Sequence, residues 1–209
     1  MLRKTAIATC GIVCTVLAGC QPAPFMPELE AIDLLIQNAR VVDGSGEPAV
    51  TADVVVAGDT IVFVGDTAFT AEDLQSRVAR RIDAAGRVLA PGFIDLHSHG
   101  DPLETPELEN FLAMGVTTIS LGQDGSSPDT ADLAAWLDDV RAKGIGTNLA
   151  MFVGHGTLRN LSGIGRSPQP EPEQMQRMLA MLDSTLGYTF GMTTGLEYNP
   201  GLNASEQEL

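Results

Sequence analysis

The sequence predicts an α/β protein in which an incomplete (β/α)8 TIM barrel of about four βα units follows a small β segment. Two observations support this prediction. Residues 32–89 alternate short apolar runs with turns, as strands do. From Pro91 onward, apolar runs alternate with segments whose apolar residues recur at helical spacing. Such repeats favour a parallel sheet with right-handed crossovers, either open or closed into part of a barrel.

The amino terminus is predicted to be an export signal. Arg3 and Lys4 precede a mostly apolar run at residues 5–17, which is too short for a transmembrane helix. Residues 17–20, Leu-Ala-Gly-Cys, are similar to a bacterial lipobox. We therefore expect residues 1–19 to be a lipoprotein signal peptide. A plain secretory signal cut nearby is the alternative.

Cleavage at that point makes Cys20 the lipidated first residue of the mature protein. Cys10 and Cys14 leave with the signal, so the mature chain is predicted to have no internal disulfide. Residues 20–31 contain three prolines and are expected to form a tether. The predicted product is an exported bacterial lipoprotein, anchored at the periplasmic or outer-membrane face and touching the membrane through its lipid alone.

The segment at residues 32–89 is predicted to be a small antiparallel β unit. Its β-like runs and one short helix are separated by turns rich in glycine and aspartate. The predicted strands are 34–42, 52–57, 60–65 and 80–83, and the predicted helix is 71–77.

The segment at residues 90–209 is predicted to contain four strands and the helices between them. The strands are expected to end at His99 and to cover 116–121, 147–153 and 188–196. The helices are expected at 107–114, from Ser127-Pro128 to Gly144, and at 171–186. The methionines of the last helix repeat with helical period, which indicates core packing and not a copper site.

The composition fits a folded protein and argues against a nucleic-acid partner. Of the 209 residues, 44% are hydrophobic and 19% are charged. The formal net charge is −15, whereas a phosphate backbone requires clustered Lys and Arg. The acidity is expected mainly to promote solubility.

Two histidines stand where the first barrel strand is predicted to end. His97 and His99 are two residues apart, so in a strand they point the same way, about 6.6 Å apart. Two imidazoles in that arrangement can bind one metal ion and leave positions for water and substrate. The alternative is a pair of polar residues at the solvent end of a strand. Ile94 and Leu96 lie on the opposite face, which is predicted to pack against a helix.

Polar residues also follow the other predicted strands. These are Gln123 and Asp124, then His155, then Glu197 and Tyr198. In barrel enzymes, catalytic groups collect at the carboxyl ends of the strands, because those ends converge at one rim. The sequence therefore predicts a site at this rim.

These residues, in this order, resemble the metal-dependent amidohydrolase superfamily, and within it the D-aminoacylase (N-acyl-D-amino-acid deacylase) branch. The most specific segments are Ala90-Pro91-Gly92-Phe93-Ile94-Asp95-Leu96-His97-Ser98-His99-Gly100-Asp101 and Thr194-Gly195-Leu196-Glu197-Tyr198-Asn199-Pro200-Gly201. Weaker support comes from residues 38–46, 115–118 and 153–159. The resemblance implies that residues 32–89 are the first part of a β-sandwich and that residues 90–209 are the first half of a barrel.

The resemblance also implies the metal ligands. His97 and His99 would bind a divalent metal, with zinc expected. Where relatives have Gly-Asn-Cys-Gly with a ligating cysteine, this chain has Gly-Gln-Asp-Gly. Asp124 is thus either a ligand or a turn residue, and metal preference and nuclearity stay open because carboxylate is a harder ligand than thiolate.

Catalytic and substrate roles are implied for four more residues. His155 would bind substrate or orient the metal-bound water, or else be a structural imidazole. Glu197 would either bridge two metals or hydrogen-bond within the rim. Tyr198 would face the substrate or only pack, and Asp101 would bind substrate or support its loop.

The implied reaction is hydrolysis of a small N-acylated amino acid or related amide by metal-activated water. The remaining ligands and the proton-accepting aspartate are expected on later strands, so the 209 residues are predicted to be an amino-terminal half that is inactive alone. The alternatives are a cyclic amidase or dipeptidase on the same scaffold, or a non-catalytic surface lipoprotein.

Overall fold

A mixed β-sheet forms the first unit of the chain, which divides into two units after Ala90. The computed structural model describes residues 31–209. The elements of this unit are β1 (Ile32–Val41), β2 (Val50–Ala57), β3 (Thr60–Gly65), α1 (Ala71–Ser76), β4 (Val78–Asp83) and β5 (Val88–Leu89). The sheet order is β3-β2-β1-β4, and β5 also pairs with β1. The predicted signal peptide, the lipidated Cys20 and nearly all of the predicted tether lie outside the described residues.

The prediction that this sheet is purely antiparallel is wrong. β1 pairs antiparallel with β2, and β2 with β3, but β4 and β5 run parallel to β1. The reason is the connection, because the chain passes through α1 before it returns as β4 and so re-enters in the direction of β1. Val54 and Val55 point to opposite faces of β2, and both are buried. The second layer of a sandwich stays a prediction.

A capping box starts α1. The Thr70 hydroxyl accepts from the Asp73 amide at 3.2 Å, and the Asp73 carboxylate accepts from the Thr70 amide at 3.0 Å. Hydrogen bonds from the hydroxyl and then the amide of Thr70 hold the pKa of Asp73 below its ordinary value. The predicted helix 71–77 is confirmed to within one residue.

The second unit, Pro91–Leu209, is built from parallel strands joined by helices. Its elements are β6 (Phe93–Asp95), α2 (Glu109–Ala113), β7 (Val116–Leu121), α3 (Leu133–Lys143), β8 (Asn148–Met151), β9 (Val153–Gly154), α4 (His155–Leu161), α5 (Pro172–Leu186) and β10 (Met192–Thr193). One sheet has the order β6-β7-β8, and β9 pairs with β10. All of these pairings are parallel, so the α/β class is confirmed, whereas the incomplete barrel stays a prediction.

The core of this unit lies between the sheet and its helices. Ile119 of β7 and Leu158 of α4 are almost fully buried, and Leu133 of α3 and Met178 of α5 pack into the same cluster. The methionines predicted to be core residues of the last helix therefore do pack there. Within residues 31–209, no helix combines the length and the apolarity needed to cross a membrane.

Several predicted boundaries are wrong. β6 ends at Asp95 and not at His99, the predicted strand 147–153 breaks at Phe152, and the predicted strand 188–196 is reduced to Met192–Thr193. Helix α3 does not begin at Ser127. The Thr157 hydroxyl of α4 accepts from the Ser127 amide and donates to the Ser127 carbonyl. Asp132 caps the helix instead. α4 was not predicted, because its glycine-flanked start disfavours a helix locally.

The apolar face predicted to pack under a helix is open among the described residues. Ile94 and Leu96 are 63% and 74% exposed. β6 lies at the edge of its sheet with β7 as its neighbour. No described helix covers this face, so the prediction that it packs against a helix is wrong for the described residues.

Candidate metal centre

His97 and His99 follow β6, in a segment that bends at Leu96 and His97. The Asp95 carboxylate accepts from the His97 amide at 3.0 Å, which ends the strand, and the Ser98 amide donates to the Ser120 carbonyl at 3.1 Å. Ser98 is buried, so the side chains on either side of it point away from the protein interior. The two imidazole centroids are 5.3 Å apart. The histidines therefore converge, although the cause is a bend and not the predicted strand.

Asp124 joins the histidines from the loop after β7. Its Oδ2 atom lies 3.2 Å from Nε2 of His97 and 3.1 Å from Nε2 of His99. The histidine side chains are 58% and 64% exposed and that of Asp124 is 35% exposed. The structure thus brings together the three residues that the sequence predicted as metal ligands, and all three open to solvent.

The spacing of the three donor atoms fits a divalent cation. Ligand atoms bound at about 2.0–2.2 Å, in tetrahedral or octahedral geometry, lie roughly 2.8–3.6 Å from one another. The two measured nitrogen-to-oxygen distances fall in that interval, and the ligand atoms of all three residues lie within 4.8 Å of each other. Within residues 31–209 this is the one group of three or more His, Cys, Asp or Glu with such spacing. Two imidazoles and a carboxylate are donors that zinc accepts.

A cleft adjoins Asp124 on one side, and we call it the Tyr198 cleft. It has a volume of about 380 Å³, and its walls include Ser126, Asn160 and Tyr198 beside Asp124. Tyr198 is 56% exposed. This predicted substrate-facing residue therefore shares a cleft with the candidate metal ligand, and the cleft is large enough for a small molecule.

A second cleft, the Trp136 cleft, adjoins His99. It has a volume of about 420 Å³ and is lined by Asp101, Asp129 and Trp136 among others. The Asp101 carboxylate accepts from the amides of Leu103 and Glu104, at 2.8 and 3.2 Å. Asp101 thus supports its loop, as predicted, while also lying in a cleft wall; its contact with substrate stays a prediction.

His155 does not belong to the group formed by His97, His99 and Asp124, and it lies in a buried cluster with Glu208 and Arg159. Its Nε2 atom lies 2.8 Å from Oε1 of Glu208, and Nη1 of Arg159 donates to both Glu208 oxygens, at 2.5 and 2.6 Å. The three side chains are 1% exposed or less. His155 Nδ1 has no hydrogen-bond partner within residues 31–209. The arrangement fits the structural alternative for His155, and its catalytic role stays a prediction.

Glu197 is exposed and directly precedes Tyr198. The structure does not bring it into the group formed by His97, His99 and Asp124. Its role as a metal-bridging or catalytic carboxylate stays a prediction.

Two residues that shape this region carry no local signal in the sequence. Glu208 pairs with side chains 49 and 53 residues earlier, and no local pattern indicates such a contact. Thr193 reaches the loop that carries Asp124, and a threonine in a strand usually signals only β-propensity.

No protein-family model matches the chain. Individual proteins, however, do match the chain. The chain is 35% identical over 205 residues to the N-acyl-D-glutamate deacylase of Alcaligenes xylosoxydans xylosoxydans, a match that covers 86% of the chain and 40% of that protein.

Two solved structures share the fold. A D-aminoacylase with a binuclear metal centre superimposes with a TM-score of 0.75 at 32% identity, over 85% of this chain and 41% of that one. The N-acyl-D-glutamate deacylase of Bordetella bronchiseptica, complexed with zinc and a phosphonate inhibitor, gives a TM-score of 0.74 at 31% identity, over 86% and 41%. The chain spans about 40% of the length of the relatives it matches.

Proposed function

We propose that this chain, which over its matched residues belongs to the N-acyl-D-amino-acid deacylase branch of the amidohydrolase family, forms the metal-binding part of a hydrolase. The hydrolase would cleave carbon–nitrogen amide bonds other than peptide bonds. The observation that carries the proposal is the convergence of two imidazole nitrogens on one carboxylate oxygen, at 3.1 and 3.2 Å.

His97, His99 and Asp124 would hold the divalent cation, and we propose zinc. A relative of the same fold is complexed with zinc, and another has a binuclear centre. When bound, such a cation lowers the pKa of water and polarises an amide carbonyl. Because the three donors are exposed, substrate can reach this side of the protein.

The Tyr198 cleft is proposed to hold the substrate. Its polar side chains next to Asp124, from Ser126, Asn160 and Tyr198, can donate hydrogen bonds to acyl or carboxylate oxygens. In the described part of the chain, neither the Tyr198 cleft nor the Trp136 cleft is lined by lysine or arginine. Neutral donors are therefore the groups that these residues offer to a small N-acylated amino acid.

The proposed substrate class is N-acyl-D-amino acids, because the relatives that match the chain carry that name. The test is amine release from a panel of N-acyl-D-amino acids, N-acyl-L-amino acids, hydantoins and β-aspartyl dipeptides, using the protein expressed from its own gene. We expect hydrolysis of the D-compounds that disappears with a chelator and returns with zinc.

Other outcomes of this panel have defined meanings. Metal-dependent hydrolysis of hydantoins or dipeptides in place of N-acyl-D-amino acids would replace the deacylase with a cyclic amidase or dipeptidase. No hydrolysis of any member by a metal-loaded protein would contradict the hydrolase and favour a non-catalytic surface lipoprotein.

We also propose that the protein is exported and anchored through Cys20. Residues 17–20 supply the lipobox on which this proposal rests. Wild-type protein should incorporate labelled palmitate in its bacterial host, and Cys20→Ser should not, because a hydroxyl cannot replace the thiol that is alkylated. Cys14→Ser is the matched control and should keep the label. Equal labelling of wild type and Cys20→Ser would contradict the anchor.

A further inference from the structure

We propose that Thr193 is a positioning residue for Asp124 and sets the affinity of the metal site through its hydroxyl group. This inference rests on the proposed metal site. Thr193 does not reach the donor atoms itself. It hydrogen-bonds across the base of the loop that carries Asp124, which comprises residues 122–125.

The Asp124 loop has an unfavourable backbone conformation. Gly122, Asp124 and Gly125 all have positive φ, at 91°, 55° and 70°. Glycine adopts such angles readily, but for Asp124 they are sparsely populated. A loop of this kind keeps one conformation only where its surroundings hold it. The position of the Asp124 carboxylate therefore depends on contacts made to the loop backbone.

Thr193 makes two of those contacts from β10. Its hydroxyl donates to the Gly122 carbonyl and accepts from the Gly125 amide at 3.3 Å, so it joins the two ends of the loop. Within residues 31–209, no other side chain outside the loop hydrogen-bonds to the backbone of residues 122–125. The backbone of Thr193 is itself held in place, because it pairs with Gly154 in the β9–β10 ladder.

Close packing makes this hydroxyl hard to replace. A Cβ atom at Gly154 would lie 2.5 Å from the Gly125 carbonyl oxygen, and one at Gly195 would lie 2.0 Å from the Asp124 carbonyl oxygen. The loop thus lies directly against glycine backbone on both sides, where another side chain has no room. Without the Thr193 hydroxyl, the Gly122 carbonyl and the Gly125 amide lose a shared partner. The Thr157 amide still donates to the Gly125 carbonyl at 3.2 Å, so the loop stays attached at that end but can shift at Gly122.

Relaxation of the loop would separate Asp124 from the histidines. The carboxylate oxygen lies 3.1–3.2 Å from the two imidazole nitrogens, and a shift of the loop by a fraction of an ångström takes it out of the range that suits a shared cation. Outer groups that orient metal ligands typically contribute about 10–100-fold to metal affinity. We expect an effect of that size from the Thr193 hydroxyl.

The test is zinc affinity, measured by competition with a chromophoric chelator on the protein expressed from its own gene. Thr193→Val keeps the shape of the side chain and removes the hydroxyl, and it should weaken zinc binding by about 10–100-fold. Thr193→Ser keeps the hydroxyl and should bind zinc as the wild type does. Thr194→Val is the matched control on the neighbouring exposed residue, whose side chain makes no hydrogen bond in the described structure.

The zinc affinities of the wild type and the Thr193 variants separate the metal site from the role of Thr193. If the wild type binds no zinc, the proposed metal site fails, and this inference fails with it. If the wild type binds zinc and Thr193→Val binds equally well, the metal site stands and the role of Thr193 is overturned. If Thr193→Val does not fold, Thr193→Ser decides: wild-type affinity supports the hydroxyl, whereas a loss of affinity assigns the effect to the methyl group and overturns the inference.

Discussion

Replacement of His97 and His99 by alanine is expected to abolish both metal binding and hydrolysis. The double variant leaves Asp124 as the one donor of the group, and a single exposed carboxylate does not retain a divalent ion. Loss of an outer partner of a metal ligand already costs about 10–100-fold. We therefore expect the loss of two ligands to reduce zinc affinity by more than about 100-fold, as measured by metal content after dialysis and by chelator competition.

Stability should be nearly unchanged in this variant. Both imidazoles are more than half exposed, so their removal opens no cavity in the core. The control Asp129→Asn removes an exposed carboxylate outside the three-donor group and should keep the metal. Retention of stoichiometric zinc by the double variant would show that the ion binds elsewhere and would remove the basis for the proposed hydrolase.

Replacement of Glu208 by alanine is expected to cause the largest loss of stability. Arg159 is fully buried, and its Nη1 atom donates to both carboxylate oxygens of Glu208, at 2.5 and 2.6 Å. Removal of one partner of a buried ion pair leaves an uncompensated charge, which costs about 3–5 kcal/mol. The amides of α4, which carries Arg159 and His155, should then exchange with solvent at least about 100-fold faster than in the wild type.

Glu206→Ala provides the matched control, since Glu206 is exposed and lies two residues away in the same segment. It should leave exchange in α4 unchanged. A second comparison isolates the charge, because Arg159→Leu combined with Glu208→Leu removes both partners and should recover much of the protection. Wild-type exchange in Glu208→Ala would show that the cluster does not hold α4 in place.

The position of the candidate metal site was predictable from the sequence because it depends on a local rule. Polar residues directly after parallel strands lie at one edge of a sheet, and this places Asp124 near His97 and His99 even though β6 ends before either histidine. The four-residue error in the end of the strand did not displace the site, because Ser98 stays buried and the flanking rings stay on one side.

The surroundings of the site were not predictable in the same way. His155 was predicted at the rim from its place after a strand, yet Glu208 and Arg159 hold it in a buried cluster. That contact joins residues 53 positions apart, and only tertiary packing decides it. The parallel pairing of β4 was missed for a related reason, since strand direction depends on how α1 returns the chain to the sheet.

Anomalous scattering at the zinc absorption edge, from crystals of zinc-loaded protein, tests the metal site most directly. We predict a peak within about 2.0–2.2 Å of Nε2 of His97, Nε2 of His99 and a carboxylate oxygen of Asp124. A zinc-loaded protein that shows no peak between these three side chains would contradict the proposed function.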